Sequence, residues 1–278
     1  MSEDREPLLE GTLISHLLEL RDRLLRAFIA VIIVFCPCMY YSNQLFEFLS
    51  RPLRDQLPAG GAMIATTVTA PFMVPFKLAF ITALIIAMPY VLFQVWRFVA
   101  PGLYRHEKRF ALPLLVSAVL LFYAGVAFAY FVVFPLVFKF FVHTAPKGVV
   151  VMTDISQYME FVLVLVLSFG LTFEVPVAVV LLVAMGMVRV EKLTSIRGYV
   201  LIACFVIAAI LTPPDAFSQT VMAVPMYLLY EGGILFARLA VRRRAAGKPE
   251  EPADDAGDGN SDNDSDNDGD NDSEPKHD

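Results

Sequence analysis

The sequence predicts an all-α integral membrane protein with six transmembrane helices, and three observations lead to this prediction. Of the 278 residues, 57% are hydrophobic and 18% are charged, whereas soluble domains average about 45–50% apolar and about 25% charged residues. Six apolar stretches follow one another along the chain. Basic residues gather in alternate connections between these stretches, as they do in multi-span proteins. A water-soluble globular domain is therefore excluded.

The predicted spans, in chain order, are Leu24–Tyr41, Leu78–Trp96, Ala111–Phe138, Phe161–Val188, Tyr199–Leu211 and Ala216–Phe236. A helix needs about 20 apolar residues to cross the hydrocarbon core. The third and fourth stretches exceed that length and can tilt, whereas the thirteen residues of the fifth reach only roughly 20 Å. Because Thr212-Pro213-Pro214-Asp215 interrupts the chain, we expect spans five and six both to be short and to form a hairpin.

Proline residues lie within or beside most of the predicted spans. A proline removes one helix hydrogen bond and clashes with the preceding turn, and in a membrane bundle neighbouring groups satisfy the freed carbonyls. The sequence therefore predicts kinked helices at Pro37, Pro89, Pro113, Pro135, Pro176 and Pro225.

The basic residues predict the orientation of the spans. If the N-terminus is cytoplasmic, the cytoplasmic segments hold seventeen Lys and Arg and the opposite side holds five. Cytoplasmic loops carry an excess of these residues, so a six-span chain with both termini in the cytoplasm is predicted. We expect residues 1–240 to form the transmembrane domain and residues 241–278 to form a cytoplasmic tail, first basic and then acidic.

The composition of this tail predicts disorder. From residue 250 onward thirteen Asp and Glu stand against one basic residue, Lys276, and the rest is mainly Asn, Ser and Gly, which leaves little apolar surface to bury. Asp264, Asp266 and Asp268 imitate the start of a calcium loop, but Pro275 occupies the position that requires Glu. We therefore expect a solvated tail without a metal site.

No motif for catalysis or cofactor binding is found in the sequence. A phosphate-binding GxxxxGK[ST] loop and a GxSxG nucleophile motif are both absent, and the four histidines never reach metal-ligand spacing. We therefore expect no catalytic residue, no metal and no cofactor. Any work must then be driven from outside the chain, and the membrane potential supplies about 2.3 kcal/mol per charge per 100 mV.

Glu174 is an acid in the middle of the fourth apolar stretch. A charged residue at a helix centre costs about 2.5–3.5 kcal/mol to insert, so this side chain should face protein or water. It is interpreted as a contact for a partner helix or as a proton-sensitive group. The alternative is an acid that is hydrogen-bonded inside the bundle beside Pro176.

Two further acids, Glu19 and Glu107, lie among basic residues near the predicted cytoplasmic interface. Such acids usually form local ion pairs worth about 0–1 kcal/mol, and residue chemistry alone favours this interpretation. The alternative is that the two carboxylates receive guanidinium groups, which bind them in a planar, bidentate manner. Trp96 and Phe98, beside the same loop, are typical of membrane-interface anchors.

Thr212 and Gln219 border the predicted hairpin of spans five and six. Polar side chains at such positions can hydrogen-bond across helices or face water at the outer surface. The first interpretation is slightly favoured.

Several separate strings in this sequence resemble the TatC family, the multispanning core subunit of the twin-arginine (Sec-independent) protein translocase. The resemblance extends over nearly all of residues 13–240, and the order of the strings along the spans makes it specific. The strings are His16–Arg21, Pro71-Phe72, Gln94–Glu107, Phe128–Phe131 with Pro135, Phe169–Pro176 and Leu211–Asp215.

The resemblance implies a function and a set of site residues. Proteins of this family bind the twin-arginine signal peptides of folded precursors at the cytoplasmic face, and the residues that match this surface are Glu19, Glu107 and Phe98. In the family an intramembrane acid contacts the small single-span TatA/TatB-type partners, and the residue that matches it is Glu174. Thr212 and Gln219 then become contacts at the other partner-docking edge.

The resemblance also implies localisation in the bacterial cytoplasmic (inner) membrane, translocation driven by the proton-motive force, contacts with membrane lipid, self-association and no nucleic-acid partner.

The alternative function is a proton-coupled secondary transporter of a small solute, with Glu174 as the coupling group. Such transporters normally contain inverted repeats with broken helices, and none is found here. No role can be assigned to Glu160.

Overall fold

The computed structural model describes residues 6–55, 62–99, 108–144, 152–212 and 215–246. Within these ranges the chain is almost wholly helical. In chain order the elements are α1 (Glu6–Tyr40), α2 (Ser42–Arg54), β1 (Ala62–Ile64), α3 (Ala70–Val99), α4 (Lys108–Phe128), a π-helical segment (Ala129–Val133), α5 (Phe134–Thr144), β2 (Met152–Asp154), α6 (Ile155–Thr172), α7 (Val175–Ala184), α8 (Val190–Ser195), α9 (Arg197–Leu211) and α10 (Ala216–Ala246). The predicted tail lies outside the described residues from position 247 onward.

Five helical stretches of the described chain are long and apolar enough to cross a bilayer: Leu17–Tyr40, Ala70–Phe98, Leu112–Thr144, Ile155–Ala184 and Ala216–Arg242. The prediction of a helical multi-span protein is thereby confirmed. The apolar helix α9 has 15 residues and extends about 22 Å, so a sixth crossing and the orientation of the termini stay predictions. The expectation of a short sixth span is wrong, because the helix continues past Phe236 through residues that favour helix.

Close packing of α1 on α3 follows from a stripe of small residues. Ala79, Ala83 and Ala87 recur every four residues on one face of α3, and all three are buried against α1 beside Val31 and Cys38. Side chains four residues apart lie on one face of a helix, and small residues on such a face let two membrane helices approach closely. α1 contributes little else to the core, because it is the least buried of the five candidate spans.

Two of the six highlighted prolines accompany an interruption of a helix. The π-helical segment Ala129–Val133 ends just before Pro135, and the turn between α6 and α7 ends just before Pro176. A proline has no amide hydrogen to donate to the carbonyl four residues earlier, and a π-helical turn or a break accommodates this loss. At the other four prolines the helix is continuous.

The end of the bundle at which α3 and α6 begin carries a small cap, formed by α2, β1 and β2. The strands pair in parallel, with Ala62 opposite Met152 and Ile64 opposite Asp154. Asp154 then begins α6 as its N-cap, since its Oδ1 accepts hydrogen bonds from the amides of Ser156 (2.7 Å) and Gln157 (3.1 Å).

Asp154 also ties the cap to the segment before α3. Its Oδ2 accepts hydrogen bonds from the hydroxyl of Thr66 and from the amide of Thr66 at 3.1 Å. These bonds stabilise the carboxylate, and the bond from the Thr66 hydroxyl is the largest cause of a lowered pKa for Asp154. Tyr158 donates to the carbonyl of Leu49 at 2.7 Å and so fastens α2 to α6.

Candidate functional site

Glu174 lies at the break between α6 and α7, within the most buried of the candidate spans. Its amide donates to the carbonyl of Leu171 at 3.0 Å, and its carbonyl accepts from the amide of Ala178 at 2.9 Å. The side-chain Oε1 is buried and has no hydrogen-bond partner within the described part of the chain. An acid with both carboxyl oxygens hydrogen-bonded inside the bundle was the alternative interpretation, and the unpartnered Oε1 does not favour it. A buried polar atom without a partner costs free energy, so it marks a candidate site.

The break beside Glu174 is held in place by close contacts with α4. The aromatic ring of Phe128 packs against Phe169 and Phe173, with centroid distances of 5.5 and 5.6 Å. Gly125, one turn earlier, is buried, and a Cβ atom there would lie 2.5 Å from the carbonyl oxygen of Phe169. The absence of a side chain at position 125 therefore permits α4 to touch the backbone of α6.

A second buried polar group, Gln94 in α3, was not recognised as a candidate from the sequence. The residue is 5% exposed, and its Oε1 has no hydrogen-bond partner among the described residues. An amide inside an apolar run is the signal that could have identified it.

Trp96, two residues after Gln94, is 8% exposed and packs in a cluster with Ala118 and Val177. The expectation that Trp96 is an interface anchor is wrong, because α4 and α7 cover its ring.

Glu19 on α1 has a guanidinium partner within the chain. Arg23 donates to Oε1 of Glu19 through Nε at 3.1 Å and also through Nη2. The side chain of Glu19 is 41% exposed, whereas that of Arg23 is 12% exposed. The local ion pair that residue chemistry favoured is therefore present, and the same contact demonstrates that this carboxylate accepts two N–H groups of one guanidinium.

Glu19 and Phe98 lie at the same end of the bundle. Phe35 of α1 packs against Phe76 and Phe80 of α3, with centroid distances of 5.3 and 6.3 Å. The two helices are successive spans and run in opposite directions, so Glu19, sixteen residues before Phe35, lies level with about residues 92–96 of α3. Phe98 follows within one turn. Glu107 lies outside the described residues.

Thr212 and Gln219 flank the turn between α9 and α10. Gln219 donates from Nε2 to the carbonyl of Phe205 at 3.1 Å and so links the two helices. Thr212 is buried, and its hydroxyl instead donates a hydrogen bond to the carbonyl of Ala208, one turn earlier in the chain, at 2.8 Å. Gln219 is the polar residue lining an otherwise apolar groove of about 460 Å³ between α9 and α10, where Ile202 contributes an exposed side chain.

A further charged group within the last span was missed by sequence reasoning. Arg197, at the start of α9, donates from Nη2 to Oε2 of Glu231 in α10 at 2.7 Å, and Tyr227 donates to Oε1 of Glu231 at 3.0 Å. The signal was an acid inside the sixth apolar stretch, one helical turn after a tyrosine.

Among the described residues, no group of three or more His, Cys, Asp or Glu is placed to hold a metal ion.

Comparison with known proteins establishes the family. The family model for the Sec-independent protein translocase protein TatC matches residues 15–225. The chain belongs to the TatC family. It is similar to the TatC protein of Azotobacter chroococcum mcd 1, with 54% identity over 245 residues that cover 88% of this chain and 94% of that protein. It is also 54% identical over 239 residues to TatC of Escherichia coli (strain K12), covering 86% and 91% of the two chains.

A solved structure agrees with this membership. The crystal structure of a twin-arginine translocase receptor, TatC, matches with a TM-score of 0.75 and 38% sequence identity, and the alignment covers 82% of this chain and all of that one. TatC-family proteins are components of a protein translocase that works with other Tat subunits, and they are not enzymes. The membrane-spanning helices and the family together indicate an inner-membrane protein. The small-solute transporter is not favoured.

Proposed function

We propose that this chain is the receptor subunit of a twin-arginine translocase, which binds the signal peptides of folded precursors at the cytoplasmic face. The observation that carries the proposal is the carboxylate of Glu19, which holds a guanidinium through two N–H groups at the end of the bundle where Phe98 lies. The related crystal structure is described as that of a receptor. Glu107 is proposed as the second carboxylate, in the connection that follows Phe98.

The chemistry explains why two arginines rather than two lysines would be selected. A guanidinium presents a planar set of donors that matches a carboxylate in a bidentate manner, whereas an ammonium is a point charge. Each charge-assisted hydrogen bond contributes about 1.5–3 kcal/mol when it is partly shielded from water. Arg23 occupies Glu19 in the free protein, so an incoming arginine must share or displace this internal guanidinium.

Site-specific photocrosslinking tests the receptor surface. A photoreactive residue at position 98, which leaves both carboxylates in place, should crosslink a signal peptide that carries Arg-Arg and should give a much weaker product with Lys-Lys. The matched control is position 191, because Glu191 is an exposed acid of α8 in a connection predicted to lie on the same side. Equal crosslinking of both peptides at position 98, or a product at position 191 as abundant as that at position 98, would contradict the proposal.

We further propose that the chain scaffolds small single-span TatA/TatB-type subunits. The unpartnered oxygen of Glu174 provides a buried acceptor for a polar group on a partner helix. The groove beside Gln219 provides a second edge, where the short helix α9 exposes apolar side chains. Close helix packing and interhelical hydrogen bonds are the forces that associate helices in lipid.

Co-purification of the small subunits tests the scaffold. Glu174→Ala should reduce the amount of partner recovered while signal-peptide crosslinking persists. Glu47→Ala is the control, because Glu47 is an exposed acid of α2 that lies outside the candidate spans. Unchanged recovery with Glu174→Ala would remove this role from Glu174.

The proposed topology has six spans, with α9 as the fifth, and places both termini and the tail 241–278 in the cytoplasm. The absence of a nucleotide-binding motif from the sequence is consistent with a proton-motive driving force. One chain of this size is too small to enclose a passage for a folded protein, so further copies and partner subunits are proposed to build it.

A further inference from the structure

A cavity of about 310 Å³ opens just inside the cap, where α3 and α6 begin. Its polar lining comprises the hydroxyl residues Thr67, Thr69 and Ser156 together with one cation, Lys77, and one anion, Glu160. The Nζ of Lys77 lies 3.5 Å from Oε1 of Glu160, so the ion pair bridges the two helices. The cavity is thus lined by both signs of charge, and its volume lies at the lower end of the range for small-molecule sites.

The depth of this ion pair corresponds to the boundary between lipid headgroups and hydrocarbon. Lys77 lies seven residues inside the candidate span that begins at Ala70, and Glu160 lies five residues inside the one that begins at Ile155. At 1.5 Å per residue these positions are roughly 8–10 Å from the helix starts. The interfacial layer on each side of the hydrocarbon core is about 5–8 Å thick. If the helices begin at the outer edge of this layer, the two charges lie within a few ångströms of its inner boundary, where long side chains reach the headgroups.

The ion pair itself is weak and can be exchanged for charges on a ligand. The side chains of Lys77 and Glu160 are 55% and 65% exposed, and exposed pairs contribute little to stability. A ligand that carries a phosphate and an ammonium could replace the single contact by two, with phosphate on Lys77 and ammonium on Glu160. Charge-assisted hydrogen bonds of this kind are about twice as strong as neutral ones.

We propose that this cavity binds the headgroup of phosphatidylethanolamine. The phosphate would accept hydrogen bonds from Lys77 and from the neighbouring hydroxyl groups, and the primary ammonium would donate to Glu160. The rest of the lining is apolar and suits the less polar end of the lipid; it comprises Ala70, Met73, Val74 and Met159. Phosphatidylglycerol fits less well because its headgroup offers Glu160 no cation, and phosphatidylcholine fits less well because its ammonium has no N–H donor.

Native mass spectrometry of the purified full-length protein tests this site with lipids that share the same acyl chains. We expect phosphatidylethanolamine to bind more tightly than phosphatidylglycerol or phosphatidylcholine. The double variant Lys77→Gln with Glu160→Gln should weaken phosphatidylethanolamine binding about tenfold, as expected for the loss of one or more charge-assisted bonds. Glu160→Gln alone should abolish the preference for phosphatidylethanolamine over phosphatidylcholine.

The control is the double variant Lys139→Gln with Glu47→Gln, which removes the same charges from exposed positions outside the cavity. Wild-type binding in this control, with retained thermal stability in both double variants, is the expected result. Unchanged phosphatidylethanolamine binding after removal of Lys77 and Glu160 would overturn the proposal, as would an equal loss in the control. Binding of free phosphoethanolamine as tight as that of the lipid would overturn the membrane lipid as the occupant.

Discussion

Replacing Gly125 by alanine should loosen the contact that holds α4 against the break beside Glu174. The new Cβ would lie 2.5 Å from the carbonyl oxygen of Phe169 and 2.9 Å from Cβ of Phe173. Ordinary van der Waals contact begins at 3.4 Å, so the helices must separate by about 0.9 Å. The obstructing atom is a backbone oxygen that no rotamer change can move, and overpacking of this kind costs about 1–3 kcal/mol.

Gly232→Ala is the matched control for Gly125→Ala. Both glycines lie inside helices, so both variants gain about 0.5–1 kcal/mol of helix propensity, but a Cβ at position 232 would have no heavy atom within 4 Å. The difference between the variants therefore isolates the overpacking cost. Thermal unfolding in detergent can follow the emission of Trp96, the only tryptophan, which packs in a cluster with Ala118 of α4. Equal unfolding midpoints for the two variants would refute the close packing.

Two further predictions concern charged groups that link distant elements. Asp154→Ala should lower the thermal midpoint by a few degrees, because it removes the N-cap of α6 and both hydrogen bonds from Thr66. In the folded protein the pKa of Asp154 is below its ordinary value of 3.8, so the stabilisation by this carboxylate is complete above pH 3.8 and is lost as the pH falls through the folded pKa. Below about pH 4 the wild type should therefore lose stability more steeply than Asp154→Ala. Parallel pH profiles of the two proteins would contradict this prediction. Glu231→Gln should destabilise by roughly 1 kcal/mol, because Arg197 loses its partner. In a double-mutant cycle measured by thermal unfolding, adding Arg197→Gln to Glu231→Gln should recover part of the lost stability. Strictly additive effects of the two substitutions would refute the interaction between Arg197 and Glu231.

The local pattern of the sequence was sufficient to predict the membrane class and most of the spans. Apolar length determines where a helix can lie in a bilayer, and the proline at position 176 indicated the interruption next to Glu174. The end of the last helix was not predictable in this way, because Ala, Arg and Leu beyond Phe236 continue a helix without being uniformly apolar.

Contacts between distant residues could not be predicted, because periodicity carries no information about which helices meet. Thr66 and Asp154 are 88 residues apart, and Arg197 and Glu231 are 34 residues apart. The position of Trp96 shows the same limit: its place near the end of an apolar stretch suggested an interface anchor, but packing with Ala118 and Val177 buries it.

Recognition of paired guanidinium groups is tested most directly by equilibrium binding of signal peptides to the purified protein in lipid nanodiscs. Peptides with Arg-Arg and with Lys-Lys are each measured against wild type and against the double variant Glu19→Gln with Glu107→Gln. We predict that the lysine peptide binds wild type at least about tenfold more weakly than the arginine peptide, and that the double variant binds both peptides equally weakly. The same preference for arginine in both proteins would contradict recognition by these two carboxylates.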